Sequence, residues 1–145
     1  MASEVKQLSV FVENKPGRLS AVLKVLGDSK IDIRAMNIAD TNDFGILRLI
    51  LSDTEGAVSL LKEKDYAVAV TDVIALDVDD TPGGLAGALS VLDKSGVSVE
   101  YMYASLSNNA ASAHIVLRVD DNAKAEDALA SKGYKLLSDE DIKKI

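Results

Sequence analysis

The sequence contains no cysteine. Disulfides, thiolate metal sites and cysteine nucleophiles are excluded together. It has one histidine, His114, which leaves no His-rich metal cluster. Aromatic residues make up 4% of the chain, and the formal net charge is −7. An RNA-binding sheet would carry exposed aromatics and a basic surface, and a phosphate backbone is repelled by this charge. Nucleic acid is therefore not an expected partner. An anionic membrane surface is disfavoured on the same ground. No apolar run is long enough for a signal peptide or a membrane span, and a cytoplasmic protein is the expectation.

What is there is a globular composition. The chain has 145 residues, 48% of them hydrophobic and 27% charged. That suffices for one ordinary domain or two small ones.

Internal similarity decides between these. Leu8 to Leu26 (LSVFVENKPGRLSAVLKVL) aligns with Ile74 to Leu92 (IALDVDDTPGGLAGALSVL) at an offset of 66. Pro16 meets Pro82, Gly17 meets Gly83, Leu19 meets Leu85, and Met36 meets Met102. The offset then becomes 68, so that Leu47 meets Ile115, Asp53 meets Asp121 and Tyr66 meets Tyr134. The two extra residues fall at Asn108-Asn109, a turn-forming pair. Two copies of one unit are expected, residues 1–70 and 71–145.

Each copy reads β-α-β-β-α-β. Leu8, Val10 and Val12 alternate with Ser9 and Phe11, which suggests a strand. Pro16-Gly17 opens a helix, with Pro in the first turn where its missing N–H is harmless. Leu19, Val22, Leu23 and Leu26 form one apolar helix face. Ile31 and Ile33 begin a second strand, Thr41-Asn42-Asp43 turns the chain, and Ile46 to Leu51 is a third. Ala57, Leu60 and Leu61 suggest a second helix, and Tyr66 to Val70 a fourth strand. The second copy repeats this, starting with a strand near Val73 to Val78. Gly133 stands where a helix C-terminal cap belongs, and Ser138-Asp139-Glu140-Asp141 is a helix start. The expected fold class is α+β: two ferredoxin-like βαββαβ units in tandem, their antiparallel sheets paired side by side with helices on one face. The remaining bare face makes a homodimer the expected assembly.

The segments Val12-Glu13-Asn14-Lys15-Pro16-Gly17-Arg18-Leu19 and Val78-Asp79-Asp80-Thr81-Pro82-Gly83-Gly84-Leu85 carry a resemblance. So do Ile31-Asp32-Ile33, Val97-Ser98-Val99-Glu100-Tyr101 and Phe44-Gly45-Ile46-Leu47-Arg48-Leu49. With the element order and the tandem copy, the chain resembles the ACT domains, ligand-sensing modules of amino-acid metabolism. The resemblance implies a non-catalytic regulatory protein that binds a small molecule, usually an amino acid, between paired domains. It also implies a site built from the first loop (Asn14, Lys15, Pro16, Gly17, Arg18, Leu19) and a second-strand segment of the other copy (Glu100, Tyr101, Met102, Tyr103). A possible second site takes Asp80, Thr81, Pro82, Gly83, Gly84 and Leu85, with Met36 and Asn37.

Physical chemistry accounts for the first loop. A helix N-terminus presents N–H groups and partial positive charge to a carboxylate. Gly17 allows close backbone approach. Asn14 can accept from an ammonium group and donate to a carboxylate, and Arg18 adds a charge-assisted contact. The second loop has Asp79 and Asp80 instead, which suit an ammonium group and make a poorer carboxylate site.

Plainer readings stand beside these. Both Pro-Gly steps can be simple helix-entry turns. Tyr101 and Tyr103 can be half-buried strand residues, and Met36 and Met102 packing residues. His114 reads as a satisfied histidine facing the helix layer or an interface. No nucleophile, base and orienting group come together, so no enzyme is expected. Gly83, Gly84 and Gly87 lack the dinucleotide spacing, and Asp79-Asp80 alone is no coordination sphere, so neither cofactor nor metal is expected. The alternative function is an interaction subunit of a separate metabolic enzyme, with no small ligand.

Overall fold

A computed structural model describes residues 4–40, 44–105 and 110–144. The elements are β1 (Glu4–Glu13), α1 (Arg18–Asp28), β2 (Ile33–Asp40), β3 (Phe44–Leu51), α2 (Thr54–Glu63) and β4 (Ala67–Asp79). They continue as α3 (Gly84–Lys94), β5 (Val99–Ser105), β6 (Ser112–Val119), α4 (Asn122–Ser131), β7 (Lys135–Leu137) and α5 (Asp139–Lys143). The proposed turns at Thr41-Asn42-Asp43 and Asn108-Asn109 lie outside the described residues.

The chain divides into two compact units, Lys6–Thr71 and a discontinuous one of Met1–Val5 with Asp72–Ile145. In the first, β3 pairs antiparallel with both β1 and β2, and β1 also pairs with β4. In the second, β6 pairs antiparallel with β5 and β4, and β4 with β7. The order is β4-β1-β3-β2 in one and β7-β4-β6-β5 in the other. Both are the split βαβ order.

The repeat extends to the cores. Leu8, Val10, Val12, Val22 and Leu26 are buried in the first, with Leu47, Leu49, Ala57 and Leu61. At the offsets found in the sequence, Ile74, Leu76, Val78, Ala88 and Leu92 are buried in the second, with Ile115, Leu117, Ala125 and Leu129. Strand residues at alternate positions face helix residues one turn apart, as periods of 2 and 3.6 require. Each second strand also carries a bulge, between Ile33 and Ala35 and between Val99 and Tyr101. The residues at the bulges, Arg34 and Glu100, are equivalent and opposite in charge.

Two local expectations change. One strand, Ala67–Asp79, runs where two were expected. Thr71 and Asp72 continue its extended backbone instead of breaking it. Pro16 is not in the first helical turn. Gly17 is the N-cap of α1 with φ +85°, so it cannot be helical, and Pro16 falls in the turn before it. Gly83 does the same before α3.

The other helix ends follow side-chain chemistry. Asp53 accepts from the Gly56 N–H and caps α2, and its repeat partner Asp121 accepts from the Lys124 N–H and caps α4. Ser138 and Asp141 form a reciprocal capping box on α5, whose Ile142 is buried. Gly133, φ +83°, follows α4 as expected. Among the described residues, no helix is long and apolar enough to cross a membrane.

Candidate functional site

In the first unit, β1 delivers Val12 and Glu13 to the mouth of the β1–α1 loop. Asn14, Lys15, Pro16, Gly17 and Arg18 follow as exposed residues. The loop is tied by the Lys15 N–H donating to the Glu13 carbonyl at 2.9 Å and the Arg18 N–H donating to the Lys15 carbonyl at 3.3 Å. No side chain caps α1. Its first-turn N–H dipoles therefore face outward, unlike those of α2, α4 and α5.

Beside this loop is a cleft of about 320 Å3, lined by Val12, Glu13, Asn14, Lys15, Leu19, Ile38 and Gly45. Val12, Leu19 and Ile38 supply an apolar wall. Glu13, Asn14 and Lys15 supply polar groups of both signs. Gly45 sits on β3 where a side chain would narrow the cleft: a Cβ there would come within 3.3 Å of Ile38 Cδ1. Of the residues assigned from sequence, Asn14, Lys15 and Leu19 line the cleft. Pro16 and Gly17 are on the loop and Arg18 opens α1, and none of the three is in that lining.

Sequence reasoning overlooked Glu13, Ile38 and Gly45. Gly45 gave a usable signal, because an isolated glycine in a strand pattern often marks close approach by another group. Glu13 organises the local charge. Its carboxylate lies 3.3 Å from Lys15 Nζ and 3.8 Å from an Arg18 guanidinium nitrogen. All three side chains are about half exposed or more, so these pairs hold weakly, at about 0–1 kcal/mol each. An incoming carboxylate can take over Lys15 and Arg18, and an ammonium group can take over Glu13.

The second loop is built differently. The Asp80 N–H donates to the Ala111 carbonyl and the Gly84 N–H to the Thr81 carbonyl, both at 3.0 Å. A Cβ on Gly84 would run into the Asp79 carbonyl oxygen. The equivalent residue in loop one is Arg18, so the second loop is folded more tightly than the first. Asp80, Thr81, Pro82 and Gly83 are exposed, and Leu85 packs against the second core. Met36 is exposed, while Asn37 accepts from Arg48 at 3.2 Å.

On β5, the register puts Met102 opposite Leu117, a core residue on the helix side. Tyr101 and Tyr103 point to the other face of the strand, half-buried and buried. Glu100 lies 3.6 Å from Arg118 at the bulge. These four residues thus do not share one face. His114, 8% exposed, pairs in register with Asp77. Both alternate with residues of the helix-side core, so His114 faces away from the helix layer. It is also not satisfied: Nδ1 has no hydrogen-bond partner, and Nε2 is 3.9 Å from Asp77 Oδ1. Among the described residues, no group of three His, Asp or Glu side chains is placed to hold a metal ion.

The repeated units, the shared strand order and the paired αL loops find their match in one family model, an ACT domain pair, over residues 3–145. The chain belongs to the ACT domain pair family. A crystal structure of protein BT0572 from Bacteroides thetaiotaomicron is 42% identical, with a TM-score of 0.93 and 99% of each chain covered. The ligand-free regulatory subunit of aspartate kinase from Thermus thermophilus is 12% identical with a TM-score of 0.68, covering 91% of this chain and 93% of its own. The aspartate kinase regulatory subunit from Thermus flavus is 13% identical with a TM-score of 0.60, covering 87% and 88%. These two share the fold of this ACT pair. No curated protein matches the sequence.

Proposed function

We propose that this ACT pair is a non-catalytic regulatory protein that binds an amino acid at its first β1–α1 loop. The observation that carries the reading is the cleft beside an uncapped helix start, where an apolar wall adjoins Glu13, Asn14 and Lys15. A zwitterion meets matched chemistry there: Glu13 for its ammonium group, Lys15, Arg18 and the α1 N-terminus for its carboxylate. Val12, Leu19 and Ile38 would sort side chains by apolar contact. Glu100, Tyr101, Met102 and Tyr103 belong to the proposal on family resemblance, and the Pro82-Gly83 loop is the weaker candidate.

A thermal-shift screen of the full chain against the protein amino acids tests this. A ligand at about 100 times its Kd adds roughly 2.7 kcal/mol of stability. The expected result is a shift for one or a few related amino acids that Asn14→Ala and Arg18→Ala each abolish. A shift that survives both variants would place the ligand elsewhere.

A second reading is an interaction subunit of a separate metabolic enzyme, working as a homodimer. It is favoured by the likeness to proteins described as regulatory subunits of aspartate kinase. A flat amino-acid panel together with a stable complex in pull-down would support it, and sedimentation would report the dimer.

A further inference from the structure

The second unit holds a cleft of its own, of about 380 Å3, at a place the first reading does not use. It lies between the end of β4, the start of β6 and the turn from α4 into β7. Asp77, Asp79, Ser112, Lys132, Tyr134 and Lys135 line it.

Three features set it apart from an ordinary surface depression. First, its charges are of both signs. Asp77 and Lys135 are register partners across β4 and β7, yet among the described residues neither Lys132 nor Lys135 makes an ion pair. Second, Asp77 Oδ1 is buried without a hydrogen-bond partner, backed by His114 at 3.9 Å, whose own Nδ1 is also unpartnered. A carboxylate oxygen left in that state costs free energy unless a donor reaches it. Third, part of the polar lining is peculiar to this copy, while Asp79, Lys132 and Tyr134 have counterparts in Glu13, Lys64 and Tyr66. The equivalent positions in the first unit are Phe11 for Asp77, Phe44 for Ser112 and Ala67 for Lys135. Phe11 and Phe44 are exposed there. The repeats share their cores residue for residue but differ at this spot in chemical character.

We propose that this cleft is a second ligand site, for a small molecule that carries an ammonium group and a carboxylate. Asp77 and Asp79 receive the ammonium group. Lys132 and Lys135 receive the carboxylate, with the Ser112 hydroxyl available to donate. The Tyr134 ring packs against the second core and fixes the turn from α4 into β7. His114 acts through Asp77 as a positioning residue. The site stands independently of the first-loop reading, because no lining residue is shared.

The test is amide NMR of the full chain, titrated with each protein amino acid at millimolar concentration, and separately with inorganic phosphate and a simple dicarboxylate. The expected result is a saturable shift of the Ser112, Gly133 and Lys135 amides with at least one amino acid. Lys132→Ala and Asp79→Asn, both exposed positions, should each weaken it by about tenfold or more, as loss of a charge-assisted contact does. Asn14→Ala should leave it unchanged, so the failure of one site is distinguishable from failure of the other. No shift with any amino acid would overturn the proposal. So would phosphate or dicarboxylate binding that Asp79→Asn does not weaken while amino acids fail to compete, which would mark a plain anion site.

Discussion

Gly17 and Gly83 hold the same left-handed backbone, φ +85° in each, at equivalent positions of the two repeats. Each ends its loop by placing the chain in a region that side chains avoid, and each precedes a helix without a side-chain cap. The two loops then part company at the next residue, Arg18 in one and Gly84 in the other.

Replacing these glycines should separate two kinds of cost. Nothing lies within 4 Å of a Cβ on Gly17. Gly17→Ala should therefore cost only the strain of a side chain in left-handed backbone, about 1–2 kcal/mol. Gly84→Ala forces the Asp79 carbonyl to move and should cost more, on the order of 2–3 kcal/mol. Urea denaturation of the two variants checks the order.

The duplicated core predicts matched penalties. Leu26 and Leu92 occupy equivalent helix positions and are both buried. Leu26→Ala and Leu92→Ala should each destabilise by about 2–5 kcal/mol. Similar values by chemical denaturation would bear out equivalent packing. A near-neutral result at either site would mean that its cavity collapses.

Glu126 makes stability depend on pH in an unusual direction. Burial first, then the negative charge of Glu4, pushes its carboxyl above the ordinary 4.5, and Oε1 has no hydrogen-bond partner. The folded chain thus holds this proton more tightly than the unfolded one. The resulting stabilisation is full below the unfolded value of 4.5 and is lost as pH rises through the raised folded value. Glu126→Gln should therefore stabilise the protein at neutral pH, on the order of 1 kcal/mol. The gain should fade in acid, as read from melting curves across that range.

Asp141 runs the other way. Hydrogen bonds from the backbone and side chain of Ser138 hold its carboxyl below the ordinary 3.8. Its contribution is present above that value and lost as pH falls through the lowered one. Ser138→Ala removes the cap and should cost about 1 kcal/mol at neutral pH. Hydrogen exchange should quicken in α5 and leave α1 unaffected.

Much of this fold is legible before any coordinates. Repeats at two fixed offsets, with apolar residues at strand and helix periods, imply the same core twice, because burial follows periodicity. Ser138 and Asp141 announce their own cap. Tertiary partners decide the rest. Whether Thr71 and Asp72 break a strand depends on what pairs alongside them, and local composition is silent on that. The first cleft needs Ile38 and Gly45, which come from strands distant in sequence from loop one. The second cleft arises where Lys132 and Lys135 are folded against Asp77, far apart along the chain. The sequence does not show which neighbours the His114 nitrogens reach, and burial leaves Nδ1 without a partner.

The side chain of Asn122 donates to Glu4 at 2.9 Å and to the Asp72 carbonyl at 3.1 Å, joining residues 118 positions apart. During synthesis at about 5–20 residues per second, Glu4 would wait roughly 6 to 24 s for Asn122 to be made. The first unit, Lys6–Thr71, has its whole sequence in hand well before then. The second cannot close until a stretch translated ahead of the first unit is recruited into it. Birth order on the ribosome and order of completion are thereby uncoupled for Glu4 and the unit it joins.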